Sequence, residues 1–271
     1  MPWNHVAGTN SFYPIPTNQN VVGEIPAGAY SVHQSMTGPY IVGQDLKNEE
    51  LLSFNEGPTK EVIEEIVTFW DIQEKYNKIG VPYRRGILMY GPPGTGKSAI
   101  IRMICEKVIE KNGIVALCNS VSDAENWEEL LKNTAFDKNI VFIMEDIDDM
   151  LEYDEQVILQ LLDGITSGIA GSVFLASTNY IEKLADRIIR PSRFDLLIEV
   201  KEPTAEIREA YARELYKRYD REFNPGIIEA SEGFSFAHIK EMIISSLLYD
   251  KPLEQLKKRL KQRPNLALED E

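Results

Sequence analysis

One short segment constrains the fold of this chain more than any other: the glycine-rich sequence GPPGTGKS, residues 91–98. It follows the apolar run GILMY and opens the sequence SAIIRMICEKVIE, whose apolar residues recur at helical spacing. A strand, a glycine-rich turn and a helix in this order are typical of a phosphate-binding loop, in which backbone N–H groups surround a phosphate at a helix N-terminus. The segment therefore predicts a nucleotide-binding α/β domain.

The residue types in this segment suit a bound nucleotide. Lys97 can neutralise the charge of the β- and γ-phosphates, and the Ser98 hydroxyl can ligate Mg²⁺. Glycines let the backbone close around the β-phosphate because they have no side chain in the way. We predict that the following residues bind the nucleotide: Gly91, Pro92, Pro93, Gly94, Thr95, Gly96, Lys97, Ser98 and Ala99.

Short apolar runs alternate with helical patterns through the middle of the chain. The predicted strands are residues 86–90, 114–118, 140–144, 172–177 and 196–200. The predicted helices are residues 58–76, 97–111, 122–133, 151–165 and 181–189, with a capping box at Ser122 and Glu125. Apolar strands that alternate with helices indicate a parallel sheet covered on both faces. After about residue 204 only helical patterns follow, which predicts a second, all-helical domain.

The N-terminal 44 residues differ from the rest in composition. They contain a single charged side chain, Glu24, but five prolines, five glycines and five aromatic residues. Such a segment either becomes ordered against a partner or packs on its own domain, and residues 28–34 and 38–44 can form a β-hairpin. The predicted organisation is an arm at 1–44, a nucleotide-binding domain at 45–202, a helical domain at 203–262 and an acidic tail at 263–271.

Charge and hydropathy exclude some classes of protein. The formal net charge is −14, and so negative a surface repels phosphate backbones, which argues against nucleic-acid binding. No apolar run approaches the roughly 18 residues of a membrane-spanning helix, and the N-terminus has no secretory pattern. We therefore expect a cytoplasmic protein. Cys105 and Cys118 are expected to be buried thiols because they lack CxxC spacing.

Acidic residues follow a predicted buried strand in the sequence IVFIMEDIDDM, residues 140–150. Beside a phosphate loop, one carboxylate should hold the water shell of Mg²⁺ and its neighbour should orient the attacking water. Most ATPases of this layout have Asp before Glu, whereas this chain has Glu145 before Asp146. The exchange either retains the site or slows the chemistry. Asp149 is expected to be solvated, and Asp148 is either solvated or the next candidate for the base.

Two further features narrow the class of protein. Asn179 follows the strand FLAST, where it can position the lytic water or simply end the strand in a turn. Arg190 and Arg193 in RPSRFD are far in sequence from the phosphate loop. Guanidinium groups that reach a γ-phosphate accelerate phosphoryl transfer, so we expect these arginines to act in a neighbouring subunit, with surface salt bridges as the alternative.

Taken together, GPPGTGKS, FIMEDID, STN and RPSRFD resemble the AAA family of ring ATPases over about residues 50–250. The sequence VPYRRGILMYGPPGTGKS and the Glu-Asp order are most similar to the Bcs-type subgroup. The resemblance implies a P-loop NTPase domain followed by a small helical lid, ATP and Mg²⁺ as cofactors, and homo-oligomeric rings of six or seven subunits. It also implies remodelling or translocation of a macromolecule.

The same resemblance implies roles for individual residues. Lys97 and Ser98 bind phosphate and metal, Glu145 serves the metal through water and Asp146 is the base. Asn179 is the first sensor, and Arg190 and Arg193 are fingers offered across an interface. Asn55, Glu56 and Gly57 line the adenine, mainly through their backbone.

The sequence also departs from the family. Residues 119–127, NSVSDAENW, lack the aromatic, apolar and glycine triplet with which relatives grip a polypeptide, and Trp127 is expected in the core. Ala237 lies near the place where some relatives carry an arginine. We expect no counterpart of the membrane anchor of the Bcs-type translocase, and we expect the uncharged arm in its place.

These features favour an ATP-hydrolysing ring motor that remodels a protein partner recruited through residues 1–44. One alternative is a small-molecule phosphotransferase. Another is a non-hydrolysing scaffold that assembles on ATP. The acidic pI of about 4.8 weighs against a DNA-unwinding ring, although residues 257–263 are locally basic.

Overall fold

A computed structural model of the chain describes residues 3–5, 8–14, 25–46, 56–81, 83–133, 138–163 and 171–261. Two compact units are distinguished. Unit 1 comprises the described residues of Met1–Leu51, Glu56–Gly91 and Lys97–Glu199, and unit 2 comprises those of Pro92–Gly96 and Val200–Glu271. The predicted tail at 263–271 lies outside the described residues, and the predicted boundaries at residues 45 and 203 stay predictions.

The described strands form one nine-stranded sheet in unit 1. In chain order they are β1 (Trp3–His5), β2 (Ser11–Pro14), β3 (Gly28–Ser35), β4 (Gly38–Gln44), β5 (Arg84–Tyr90), β6 (Ile114–Leu117), β7 (Ile140–Met144), β8 (Ser172–Thr178) and β9 (Leu196–Glu199). Their order across the sheet is β1-β2-β4-β3-β6-β7-β8-β5-β9. All neighbours from β3 to β9 are parallel, which confirms the predicted parallel α/β sheet.

Residue composition explains the central strands. Every residue of β7 and β8 is buried, because helices cover both faces of a parallel sheet and leave no solvent-facing side. β8 lies between β7 and β5. The carboxyl ends of these three strands therefore lie at one edge of the sheet, where the chain after each strand carries the predicted site residues.

The predicted hairpin is present in the N-terminal segment. β3 and β4 pair antiparallel from Ala29 opposite Gln44 to Ser35 opposite Gly38. β3 also pairs in parallel with β6, and Tyr30 and Ile41 are buried in the core beneath the hairpin. Of the two alternatives for this segment, the described part therefore packs on its own domain.

The described helices of unit 1 follow the predicted pattern with local differences. They are α1 (Glu56–Asp71), α2 (Gln73–Ile79), α3 (Lys97–Glu110), α4 (Val121–Asn133), α5 (Ile147–Asp163), a 3₁₀ helix (Ile181–Lys183) and α6 (Asp186–Ile189). α4 begins one residue before the predicted start, and its cap is Ser120, whose Oγ accepts the N–H of Asp123 at 3.1 Å. The predicted box at Ser122 and Glu125 was therefore wrong, because the helix starts earlier.

α5 consists of two helical segments. Asp154 has extended backbone angles, and its carboxylate accepts the N–H groups of Gln156 and Val157 at 3.0 and 3.3 Å. Asp154 therefore caps the second segment in the manner of an N-cap residue. No periodicity argument separates two such segments, since their apolar residues keep nearly the same spacing.

Unit 2 contains the described helices of the C-terminal part: α7 (Ala205–Arg218), α8 (Gly226–Ala230), α9 (Phe236–Tyr249) and α10 (Leu253–Lys261). Thr204 caps α7 by accepting the N–H of Ile207 at 3.4 Å. The core of this unit includes Ile239 and Met242 of α9 and Leu256 of α10, all fully buried. Across the described helices of both units, none combines the length and the hydropathy that crossing a membrane requires.

Candidate active site

The glycine-rich loop joins β5 to α3, as the sequence predicts. Its three glycines all have positive φ angles, 149° at Gly91, 77° at Gly94 and 97° at Gly96. The angles at Gly94 and Gly96 are strained for residues with a side chain. Thr95 is fully buried, and its Oγ1 donates to the carbonyl of Pro92 at 2.9 Å. This loop geometry leads into the N-terminus of α3, where unpaired N–H groups favour an anion.

Close packing explains the glycine at the centre of the loop. Within unit 2, a Cβ on Gly94 would lie 2.7 Å from Oγ of Ser235 and 2.9 Å from Cβ of Ala237. Ser235 directly precedes α9, and Ala237 lies in its first turn. Ala237 therefore lies beside the loop as a small residue, and its contact with Gly94 leaves no room for a side chain there.

Lys97 is a buried cation at the start of α3. It is only 6% exposed, and its Nζ donates to the carbonyl of Gly91 at 2.7 Å. Burial lowers the pKa of Lys97, and the nearby carboxylates of Asp146 and Asp148 oppose that change. The ammonium group is thus held within electrostatic reach of two acidic side chains.

The acidic pair follows β7 as predicted. Asp146 has a positive φ of 47°, and its Oδ1 accepts a hydrogen bond from Nδ2 of Asn179 at 3.0 Å. Burial raises the pKa of Asp146, the carboxylates of Asp148 and Asp149 raise it further, and Lys97 opposes the shift. The structure therefore brings Asp146, Asn179 and Lys97 together at one edge of the sheet. A raised pKa makes a carboxylate a stronger base.

Asp148 is not a solvated charge, so that alternative was wrong. It is 7% exposed, and its Oδ1 accepts a hydrogen bond from Oγ1 of Thr178 at 2.6 Å. Thr178 also accepts the N–H of Tyr180 at 3.0 Å. Thr178 was not among the predicted site residues, although a threonine directly before the strand-ending Asn179 was a usable signal. Asp149 is exposed, as predicted.

Glu145 and Ser98 are the predicted metal-side residues. Glu145 is half-buried. The pKa of Cys105 on α3 is raised to about 12, mainly by the burial of its thiol and next by the charge of Glu145. Glu145 therefore lies on the side of the sheet that faces α3. This helix carries Ser98 in its first turn. Carboxylate and hydroxyl oxygens fit Mg²⁺, which usually takes few protein ligands and keeps waters and substrate phosphates. The described residues contain no cluster of three or more His, Cys, Asp or Glu side chains that could hold a metal ion by themselves.

The two arginines differ in exposure. Arg190 is exposed, whereas Arg193 is 7% exposed and forms a bidentate ion pair with Asp163, with both N–O distances 2.7 Å. This pair lowers the pKa of Asp163 and raises that of Arg193. The expectation that both arginines are offered to a neighbour therefore fits the exposed Arg190, while the side chain of Arg193 is engaged within its own chain.

The remaining predictions concern the adenine side, the core tryptophan and the two cysteines. Asn55 is outside the described residues, and Gly57 is exposed in the first turn of α1. The adenine-side assignment of Asn55, Glu56 and Gly57 thus stays a prediction. Trp127 is fully buried and donates to the carbonyl of Leu117 at 2.9 Å, which confirms its place in the core. Cys105 and Cys118 are buried free thiols, also as predicted.

A parallel sheet with a glycine-rich loop, a buried lysine and an acidic pair at its carboxyl edge defines the class of phosphate-loop nucleotide-binding proteins. Within that class, residues 87–202 match the ATPase family associated with various cellular activities (AAA). The chain therefore contains an AAA ATPase domain, and the resemblance found in its motifs is confirmed.

Curated relatives narrow the similarity to the Bcs type. The chain is 31% identical to the mitochondrial chaperone BCS1 of Homo sapiens, over 52% of this chain and 37% of that protein. It is 34% identical to the probable mitochondrial chaperone BCS1-A of Dictyostelium discoideum, over 53% and 38%. The probable mitochondrial chaperone bcs1 of Schizosaccharomyces pombe is 28% identical, over 57% and 37%. The chain thus spans little more than a third of the length of these relatives.

The names of these relatives correct one expectation. Each of the three is named a mitochondrial chaperone. The expectation of a cytoplasmic protein, drawn from the lack of apolar runs and of a secretory pattern, was therefore wrong. Those two features report on membrane spans and secretion, and neither distinguishes one interior compartment from another.

Proposed function

We propose that this chain is a subunit of an ATP-hydrolysing AAA machine that remodels or translocates a protein partner. The observation that carries the proposal is the cluster of Lys97, Asp146 and Asn179 at the carboxyl edge of a parallel sheet. The match to the AAA family and the names of the chaperone relatives support it.

In this proposal each residue of the cluster has one task. Lys97 binds the terminal phosphates of ATP through its ammonium group. Asp146 accepts the proton of an attacking water, and the amide of Asn179 orients both that carboxylate and the water. Ser98, and Glu145 through water, would hold Mg²⁺, which would neutralise charge on the phosphates.

Assembly is part of the proposal. Arg190 is exposed on the segment before β9, and a cation delivered to a neighbour's phosphates stabilises the charge that develops in phosphoryl transfer. We infer a homo-oligomeric ring of six or seven subunits in which each Arg190 serves the adjacent site. An isolated subunit then has an incomplete site.

Partner recruitment through residues 1–44 remains part of this proposal. One face of the sheet formed by β2, β3 and β4 carries Tyr13, Tyr40 and His33. The rings of Tyr13 and Tyr40 are stacked with their centroids 4.4 Å apart, and the ring centroid of His33 lies 5.6 Å from that of Tyr40. Met36 in the hairpin turn is fully exposed. Aromatic and methionine side chains of this kind are enriched where proteins bind each other.

A non-hydrolysing scaffold is the second candidate, and the order of Glu145 and Asp146 favours it. The shorter side chain of Asp146 reaches less far than the glutamate that most such ATPases have at that place. Nevertheless, the raised pKa of Asp146 and its hydrogen bond to Asn179 favour an active base.

Phosphate release decides between the two candidates. The wild-type chain, assayed at high protein concentration with Mg²⁺ and ATP, should release phosphate continuously, whereas Asp146→Asn should bind ATP with unchanged affinity and release almost none. Asp71→Asn, at the exposed C-terminal end of α1, is the matched control and should keep wild-type turnover. ATP binding without turnover in the wild type would favour the scaffold.

A further inference from the structure

The two arginines of RPSRFD sit in different surroundings, which suggests different roles. We propose that Arg193 is a positioning residue: it pairs with Asp163 of its own chain and thereby fixes the loop that presents Arg190 to a neighbouring site. Only Arg190 then acts on the neighbour's nucleotide. This inference rests on the proposed function and gives the two arginines different roles in it.

The ion pair uses most of the hydrogen-bonding capacity of Arg193. Nε and Nη2 donate to the two carboxylate oxygens of Asp163, each at 2.7 Å, and Nη1 donates to the carbonyl of Arg187. The side chain of Arg193 is 6% exposed. Paired, planar contacts of this kind are specific to a guanidinium group. To reach another subunit, Arg193 would have to leave Asp163 without its bidentate partner.

The backbone of the same loop is fixed against β5. A Cβ on Gly86 would lie 1.6 Å from the carbonyl oxygen of Arg193, so the two backbones are in direct contact. Asp195 donates its N–H to the carbonyl of Gly86 at 2.9 Å, and its carboxylate accepts the N–H of Ser192 at 2.8 Å. Arg190 lies at the start of this fixed loop and is exposed.

The other anchor is the C-terminal end of α5. Arg84 of β5 donates from Nη1 to the carbonyl of Leu162, and Arg193 binds the carboxylate of the next residue, Asp163. Cations suit this position because the last carbonyls of a helix lack partners within the helix. α5 begins directly after the acidic pair, so its two segments connect the proposed base to the anchor of residues 190–195, the arginine loop.

Asp163→Asn tests the proposal, because residue 163 is acidic and cannot itself act as a cationic finger. The variant should bind ATP with wild-type affinity, while its kcat falls by about 100-fold, the effect of misplacing a catalytic group by about 1 Å. Asp163→Asn combined with Arg193→Ala should be no slower than Arg193→Ala alone. Glu152→Gln changes an exposed carboxylate elsewhere on α5 and should leave kcat unchanged.

Mixed oligomers identify whose site is affected. Asp163→Asn subunits keep an intact phosphate loop, and Lys97→Ala subunits keep an intact arginine loop. Mixing the two should restore part of the activity, because the defect of Asp163→Asn lies in what it offers its neighbour. A defect confined to the variant's own site would not be rescued and would overturn the proposal, as would a wild-type kcat for Asp163→Asn.

A reversed pair keeps the test decisive if Asp163→Asn fails to fold. The double variant Asp163→Arg with Arg193→Asp places an acid at residue 193, so any recovered activity relative to Arg193→Ala cannot come from a finger there. Recovery supports the positioning role, and a folded, assembled double variant without recovery overturns it. Failure of the proposed function looks different: the wild type then hydrolyses no ATP, or Arg190→Ala keeps full activity.

Discussion

At the scale of single residues, the site depends on a few charged groups whose surroundings were only partly visible in the sequence. The motif positions of Lys97, Asp146 and Asn179 could be predicted because each follows a strand end. The hydrogen bond from Thr178 to Asp148 and the ion pair of Arg193 with Asp163 each join residues 30 positions apart. Such contacts depend on tertiary packing, which local patterns do not encode.

Lys97 tests the phosphate-loop assignment. Lys97→Ala should weaken ATP binding by about 10- to 100-fold, since a charge-assisted hydrogen bond contributes about 1.5–3 kcal/mol. Lys107→Ala on the same helix is the control, because Lys107 is exposed and pairs with Glu110. Calorimetric dissociation constants would check this, and equal affinities for the two variants would contradict the assignment.

Asp146 should affect stability in a pH-dependent way. The pKa of Asp146 is raised in the folded state, so folding disfavours the ionised carboxylate. At a pH above the folded-state pKa, the ionised carboxylate therefore lowers the free energy of unfolding. This destabilisation is lost below the pKa of the unfolded state. Asp146→Asn should therefore raise the melting temperature at neutral pH and lose that advantage as the pH falls through the ordinary range of an aspartate. A gain that is equal at acidic and neutral pH would contradict the shifted pKa.

At the scale of elements, the apolar runs predicted the five strands β5 to β9 to within two residues at each end. The buried parallel strands β7 and β8 are nearly uniform in hydropathy, which makes such strands easy to recognise. The errors lie where side-chain contacts decide a boundary. Ser120 starts α4, and Asp154 divides α5. The pairing of β3 with β6 also could not be read from the hairpin sequence, since its hydrogen bonds join residues far apart in the chain.

Two glycines make a matched test of element packing. A Cβ on Gly86 would collide with the backbone of Arg193, whereas a Cβ on Gly57 in α1 would meet nothing within 4 Å. Gly86→Ala should therefore destabilise unit 1 by more than about 3 kcal/mol, at the upper end of single-residue effects. Gly57→Ala should be neutral or stabilising by up to about 1 kcal/mol. Similar denaturation midpoints for the two variants would refute the close approach of β5 and the arginine loop.

At the scale of the whole molecule, we propose that ATP hydrolysis is a property of the homo-oligomer. Arg190 is exposed in its own chain, and the proposal completes each site with the Arg190 of a neighbour. Specific activity per subunit should then rise with protein concentration until assembly is complete. Phosphate release followed over a dilution series, with mass photometry of the same samples, would show the two rising together. Constant activity in samples that contain only monomer would rule out a shared site.

Mixed subunits test directly whether Arg190 of one subunit completes the ATP site of its neighbour. Lys97→Ala subunits keep Arg190 but bind ATP weakly and lack the cation on its terminal phosphates. Arg190→Ala subunits bind ATP but offer no finger, so each variant alone should have little activity. Mixing them should restore part of the phosphate release, at interfaces where an intact phosphate loop meets an intact Arg190. Native mass spectrometry would verify that mixed oligomers form. If such oligomers are present and phosphate release stays at the level of the separate variants, the shared-site mechanism is contradicted.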